Sequence, residues 1–343
     1  MAHHPYRCTC FIISSKMLRL LADETTDEHE RCLLLDQAEL SAHLRGQRSV
    51  ATPTTAAFGI TTTGEKRRTV YDARNKSALP GKLVRGEGAK ASNDATVNQA
   101  YDGAGATYDF LFEVLKRNSI DDKGVRLDST VHYQKNFNNA FWNGQQMVYG
   151  DGDGKLFMGF TGAIDVIAHE LTHGLTQNAV PGGLVYEDQS GALNESISDV
   201  FGSMVKQWKL KQGSDQADWL IGAGIMGPTV GKALRSMADP GNKELTWSGD
   251  DQPKTMAGYI EDGDVHTNSG IPNHAFYAAC IALKGNSWDK AGPIWYKSLS
   301  LLTSNASFAD MAKATMQSAE LLYGADSKEQ HAVRAAWKLV GVI

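Results

Sequence analysis

The 343-residue chain has no run of eighteen or more apolar residues, which excludes a membrane-spanning helix of ordinary length. Cysteine is scarce. Cys8, Cys10 and Cys32 gather near the start and Cys280 stands alone, a spacing that offers no disulfide framework. Basic residues are not in excess: 34 Lys and Arg against 39 Asp and Glu leave a net charge of −5. The chain therefore lacks the cationic footprint of a nucleic-acid or anionic-membrane binder. A secretory core is missing too, because Cys10-Phe11-Ile12-Ile13 is too short and runs straight into Ser14-Ser15-Lys16. Synthesis in the cytoplasm is expected, with any export by a non-Sec route. There is no internal repeat and no low-complexity tract. What is present is ordinary globular composition, 42% hydrophobic and 21% charged, with length enough for two domains sharing a core.

Residues 1–50 differ in character from the rest. Segments 15–22 and 31–44 carry apolar residues at helical spacing, separated by an acidic run at 23–30. Residues 46–64 are rich in Thr, Ala, Gly and Pro, the composition of an exposed linker. A short helical leader before such a linker reads either as a cleavable propeptide or as a small domain that stays attached. Further on, 69–73 and 126–133 alternate as strands do, and 94–118 has a helical pattern around Ala100, Ala104, Tyr108, Leu111 and Leu115. Residues 146–149 and 156–158 read as two strands joined by the glycine-rich turn 150–154. After Gly162 the pattern is helical, near 163–177, 189–210, 269–283, 288–302, 307–323 and 326–339. The fold class is α+β, β-rich first and helical second.

The strongest chemical signal is His169-Glu170-Leu171-Thr172-His173. Histidines at i and i+4 lie one helical turn apart on one face, so both rings can meet one ion. Glu170 leans towards the same edge, where it can hold a reacting water. Ile164, Val166, Ile167, Leu171 and Leu175 make this helix apolar, as a buried helix should be. A catalytic zinc needs a third protein ligand. The metzincin extension is absent, since Thr176 and Ala179 stand where glycine and histidine would. Glu195 and Asp199, one turn apart within Gly191-Ala192-Leu193-Asn194-Glu195-Ser196-Ile197-Ser198-Asp199, supply the alternative. Glu195 completes a two-nitrogen, one-oxygen set that suits zinc, and Asp199 is placed to fix a ligand histidine from outside.

Taken together these residues resemble the thermolysin family of metallopeptidases, from about Val70 to the C-terminus. Asn138-Asn139-Ala140-Phe141-Trp142, Leu234-Arg235-Ser236-Met237-Ala238-Asp239-Pro240 and Asp264-Val265-His266-Thr267-Asn268-Ser269-Gly270 match further family segments. The resemblance implies a two-lobe fold, a β-rich N-terminal lobe and an α-helical C-terminal lobe joined by the zinc-binding helix, and the activity of a zinc-dependent endopeptidase. It implies His169, His173 and Glu195 as zinc ligands, Glu170 as general base, and His266 with Tyr186 as donors to the oxyanion. Glu261 or Asp262 would orient His266. Asn139, the Ala140 backbone and Arg235 would bind substrate; Phe157, Phe160, Val166 and Leu234 would line the pocket for the side chain after the scissile bond, favouring cleavage before bulky hydrophobic residues of a protein or peptide. The domains expected are a propeptide at 1–50, a β-rich catalytic lobe at 51–185 and a helical catalytic lobe at 186–343.

The leader resembles the short propeptide of the protealysin branch, which implies an intramolecular inhibitor cut off near Val50-Ala51. Ser14-Ser15 stand where that branch has a Pro-Pro pair. A thiolate from Cys8 or Cys10 could occupy the open position of the metal. Relatives usually bind calcium beside the zinc helix. Here Asp165 and Asp218 remain, but Lys206 and Ala223 fall where carboxylates are expected, so loss of the double calcium site is expected, with Lys206 paired to Asp165. A zinc aminopeptidase and an inactive peptide-binding relative are the competing functions. The first lacks a signature for a free amino terminus, and the second has no need of Glu170, Tyr186 and His266.

Overall fold

A computed structural model describes residues 9–48 and 64–343. Within the leader, Cys10–Phe11 forms a two-residue strand, β1, followed by helices α1 (Ser15–Glu24) and α2 (Glu28–Arg48). Ser14 starts α1 by accepting the Met17 N–H at 3.0 Å, and Met17, Leu18, Leu21 and Ala22 form its buried stripe. Helix α2 begins inside the acidic run because Asp27 accepts the N–H groups of His29 and Glu30 at 2.9 and 3.2 Å. It runs through Gly46, the first residue of the expected linker. Most of that linker, and the expected cut near Val50-Ala51, lie outside the described residues.

The main sheet adds β2 (Arg68–Asp72), β3 (Lys82–Gly86), β4 (Leu127–Val131), β5 (Ala140–Trp142) and β6 (Met147–Tyr149) in the order β1-β5-β6-β4-β2-β3. Pairs β2/β4 and β4/β6 are parallel and the others antiparallel. The leader strand thus occupies the sheet edge against β5, with Cys10 opposite Trp142 and Phe11 opposite Phe141. The tetrapeptide too short for a secretory core finds its partner there. Helix α3 (Ala95–Glu113) is capped by Asp94, which accepts the Thr96 N–H at 2.9 Å. Residues 156–158 do not form the expected strand of the sheet. Asp153 accepts three successive N–H groups, from Lys155, Leu156 and Phe157, and this curls the chain off the sheet, leaving Phe157 one bridge to Met226.

The second half is helical, apart from β7 (Leu220–Ile221) paired with β8 (Arg235–Ser236). Its helices are α4 (Ile164–Ala179), α5 (Asp188–Leu210), α6 (Val265–Asn268), α7 (Gly270–Leu283), α8 (Ala291–Ser298), α9 (Phe308–Tyr323) and α10 (Lys328–Leu339). The architecture is the expected α+β one, a mixed sheet followed by helices. Every residue of α4 from Asp165 to Gln177 is buried, so its polar groups face protein on all sides. Helix α5 packs on it closely. A Cβ at Gly202 would stand 2.6 Å from the Asp165 carbonyl, and one at Gly191 would meet Val265 at 2.5 Å and the Tyr186 backbone at 2.9 Å. Glycine at these two positions lets α4, α5 and the start of α6 converge. Among the described residues no helix is long and apolar enough to cross a membrane.

Candidate active site

Helices α4 and α5 bring His169, His173 and Glu195 together, each able to offer one atom within 4.8 Å of the others. All three are fully buried. The outer nitrogens are committed elsewhere: His169 Nδ1 bonds Asp199 Oδ1 at 2.8 Å, and His173 Nδ1 bonds Asn194 Oδ1 at 2.9 Å with Ser198 Oγ at 3.1 Å. The two Nε2 atoms therefore face one another across 3.2 Å, and Glu195 Oε2 is buried without a hydrogen-bond partner. Two inward lone pairs and an orphaned carboxylate oxygen fit a divalent metal of zinc's preference. Burial pushes His173 down to about 4, whereas at His169 burial is outweighed by Asp199 and Glu195, which raise it to about 9, so a metal would take the place of a proton on that ring. Burial also opposes charge on Glu195, but His266, His173 and His169 outweigh it and hold the carboxylate well below its usual range.

Glu170 lies beside this set. Its Oε2 accepts the Trp142 N–H at 2.8 Å, while its Oε1 is buried with no partner. Burial holds this carboxyl well above the usual range, against the pull of His169. Tyr186 donates its hydroxyl to Glu195 and stands 3.4 Å from His266 Nε2. Arg235 grips Asp199 with two bonds of 2.9 Å, and Asn273 donates to the same carboxylate at 2.8 Å. Asp199 is held at about 2, since Arg235 and His169 outweigh the cost of its burial. Phe157, Phe160, Val166 and Leu234 are all buried, with the two aromatic rings 5.9 Å apart.

The structure corrects the residue beside His266. Glu261 and Asp262 are exposed, whereas Asp264 Oδ1 bonds His266 Nδ1 at 2.8 Å and also accepts the His266 backbone N–H at 2.9 Å. Asp264 is both the cap of α6 and the partner of the ring. Asn194, Ser198 and Asn273 were also missed as supports. For the first two a signal existed, because they sit one helical turn apart beside Glu195 and Asp199.

The leader lies across this site. Ile12 N–H donates to the Ala140 carbonyl at 3.1 Å; Ile13 N–H donates to Asn139 Oδ1, and Asn139 Nδ2 returns a bond to the Ile13 carbonyl, both at 3.0 Å. Arg235 reaches the Ile12 carbonyl at 3.5 Å, and His266 Nε2 reaches the Phe11 carbonyl at 2.8 Å. A cavity of about 40 Å³ remains between Ile12, Lys16, Leu234 and Arg235. The leader helices dock as well, with Gln37 bonding both Asn136 O and Asn138 N, Lys16 pairing with Asp251 and Glu30 with Lys155. Of the two leader cysteines, Cys8 is outside the described residues. Against the expectation from the cysteine spacing, Cys10 is disulfide-bonded, so it has no thiolate to offer a metal. What the leader brings to His266 is a backbone carbonyl.

Behind the metal helices, Lys206 Nζ lies 3.2 Å from Asp165 Oδ2, 2.8 Å from Asp218 Oδ1 and 2.6 Å from the Leu220 carbonyl. The expected pairing of Lys206 with Asp165 is present in this geometry.

Comparison with known proteins gives concordant matches. The family model described as thermolysin metallopeptidase, catalytic domain, matches residues 37–177, and that described as thermolysin metallopeptidase, alpha-helical domain, matches residues 182–342. An extracellular metalloprotease of Pectobacterium carotovorum subsp. carotovorum is 45% identical over 98% of this chain and 97% of its own length. Protease PrtS of a Photorhabdus species is 46% identical over 80% of this chain and 76% of its own. Among solved structures, the precursor of protealysin, a metalloproteinase from Serratia proteamaculans, superposes with a TM-score of 0.86. It is 45% identical and covers 97% of this chain and 100% of its own.

Proposed function

Because the chain belongs to the thermolysin family of zinc metallopeptidases, we propose how its own residues divide the hydrolysis of a peptide bond. Held by His169, His173 and Glu195, zinc would lower the pKa of a water and polarise the scissile carbonyl. Glu170 takes the proton of the attacking water on its free Oε1 and delivers it to the leaving nitrogen. Its burial supports this role, because a carboxylate held above its usual range is a stronger base near neutral pH. His266 and Tyr186 donate to the oxyanion. Asp264 keeps the His266 ring oriented, and Asp199 and Asn194 keep the ligand rings oriented. Asn139, the Ala140 carbonyl and Arg235 align the substrate backbone. Phe157, Phe160, Val166 and Leu234 take the apolar side chain that follows the cut.

The observation that carries this reading is the leader itself. Its backbone is bonded to Ala140, Asn139, Arg235 and His266 at once, the groups assigned to substrate. Residues 1–50 then act as an intramolecular inhibitor, ahead of a catalytic lobe at 51–185 and a helical lobe at 186–343. Lys206 takes the place of calcium, because its ammonium already neutralises Asp165 and Asp218. The likeness to an extracellular metalloprotease supports export.

The test is an intact-mass time course of the full-length protein beside Glu170→Ala. If the wild type alone sheds about fifty residues, it is a self-processing peptidase and the leader is a propeptide. If both stay whole, the self-processing reading falls. Chelator-sensitive cleavage of an internally quenched peptide blocked at both ends separates an endopeptidase from an aminopeptidase or an inactive binder.

A further inference from the structure

We propose that the Phe11–Ile12 peptide bond is a second cleavage site, one that the enzyme's own cleft holds in the direction and register of a substrate. This rests on the assignment above of His266, Ala140, Asn139 and Arg235 to substrate binding. The contacts follow in chain order. The Phe11 carbonyl accepts from His266 Nε2 at 2.8 Å, and the next N–H, that of Ile12, donates to the Ala140 carbonyl at 3.1 Å. The Ile12 carbonyl then points to Arg235, and Ile13 exchanges two bonds with the Asn139 side chain. A chain threaded the other way could not pair N–H with carbonyl and carbonyl with cation in this sequence. Of the peptide bonds in the strand, Phe11–Ile12 is the one whose carbonyl meets the oxyanion donor while its nitrogen is held at the sheet edge.

The side chains agree. Phe11 is fully buried against Phe141, ring centroids 4.8 Å apart, in a cluster with Tyr133, Phe137 and Val148. Ile12 follows on the opposite face, as strand geometry requires, and lines the small cavity beside Leu234. The substrate class this defines is an aromatic residue before the cut and a β-branched aliphatic one after it. The chemistry balances with water alone. Its oxygen bonds to the Phe11 carbonyl carbon, Glu170 carries its proton to the Ile12 nitrogen, and the carbon–nitrogen bond breaks to leave a carboxylate and an amine. Both new ends stay anchored, one by pairing with β5 and the other by α1 and α2, so the nick releases nothing until the protein is unfolded.

The experiment uses zinc-loaded full-length protein, sampled over time, unfolded in acid and weighed, beside Glu170→Gln and Ile12→Asp. A Met1–Phe11 peptide and a chain beginning at Ile12 should appear in the wild type, at a rate per molecule unchanged on dilution, and in neither variant. Hydrogen exchange on the metal-free protein reads the register without activity: the Ile12 and Ile13 amides should be protected, and Asn139→Ala should expose Ile13. A wild type that cleaves an added blocked Phe–Ile peptide, yet never yields a chain beginning at Ile12, overturns the proposal and leaves the peptidase assignment standing. A cut whose rate rises with concentration overturns it too, because the seated bond is then not the one cut. A wild type that cleaves nothing overturns both readings.

Discussion

Replacing Lys206 with methionine keeps most of the side chain's volume and removes its charge. The Lys206 side chain is about a tenth exposed, and its more deeply buried partner, Asp165, is 3% exposed. Removing one member of a buried ion pair leaves the other charge without compensation and typically costs about 3–5 kcal/mol. Asp218 adds little, since it is 50% exposed and water screens it. At roughly 2.1 cal/mol/K of unfolding entropy per residue, a chain of 343 residues has about 0.7 kcal/mol/K, so Tm should fall by about 4–7 °C. Calorimetry in a Glu170→Gln background, which prevents self-digestion, measures this.

Lys206 is held above the ordinary lysine range, burial being outweighed by Asp165 and Asp218. A raised folded value means that the stabilisation is complete below the unfolded lysine pKa and is lost as pH rises through the folded one. The gap between wild type and Lys206→Met should thus be constant from neutral pH to the lysine range and close only above it. Lys206→Glu reverses the electrostatics. It sets a third carboxylate beside Asp165, Asp218 and the Leu220 carbonyl, a hard-oxygen set suited to calcium. That variant should gain thermal stability as calcium is added, by about 2.7 kcal/mol at a hundred times its Kd, while the wild type does not respond. A wild-type Tm that climbs with calcium at fixed zinc would refute the reasoning, because an ammonium and a dication cannot share the two carboxylates.

Asn194→Ala should weaken zinc about 10–100-fold by freeing the His173 ring, measured by competition with a chromogenic chelator. Asp264→Asn should lower kcat about tenfold to a hundredfold with zinc content unchanged, less than the roughly 10²–10³ of deleting an oxyanion donor outright. Glu170→Gln should retain zinc by elemental analysis and lose turnover. His132, bonded to Asp151 and Asp94 and raised by them to about 9, lends stability that is full below about 6.5 and disappears as pH rises through about 9. Both carboxylates are more than a third exposed, so about 1–2 kcal/mol is expected rather than the ~3 kcal/mol of an unscreened shift. Urea titrations of wild type and His132→Gln across that window should converge at the alkaline end.

The metal set was legible because it is written in local periodicity. Histidines at i and i+4 must share a helical face, and a carboxylate pair one turn apart must do likewise, so two segments predict one site. Asp264 was not legible in the same way. It touches His266 only because it caps a four-residue helix, which folds its own carboxylate back on the ring two residues later. Residues 156–158 have strand composition, but the hydrogen bonds that decide their course come from Asp153, outside the segment. Strand β1 shows the opposite case. Two residues carry no alternation to detect, and Cys10–Phe11 is a strand because the edge of β5 supplies its partner.

On the proposed reading of the leader as an inhibitor, that edge also explains how the segment can be both tight and releasable. Most of the bonds that hold residues 11–13 are made by backbone atoms of the leader, which any extended peptide carries, as in other cases of strand addition. Little in this grip is therefore special to the leader sequence. Its advantage over a substrate is covalent attachment, which for a short linker gives an effective concentration of order millimolar. Helices α1 and α2 add contacts a substrate lacks, including Gln37 to Asn138 and the aliphatic pair Leu40 and Leu44 against the Phe11 cluster. Cutting the linker removes the effective-concentration term at once and leaves these contacts alone to resist dilution. Cutting at Phe11–Ile12 divides the segment further, separating β1, which pairs with β5, from Ile12, Ile13 and the helices. The two cuts together divide the grip on the cleft, leaving the Phe11 carbonyl contact on one piece and the Ile12 and Ile13 contacts with the docking helices on the other.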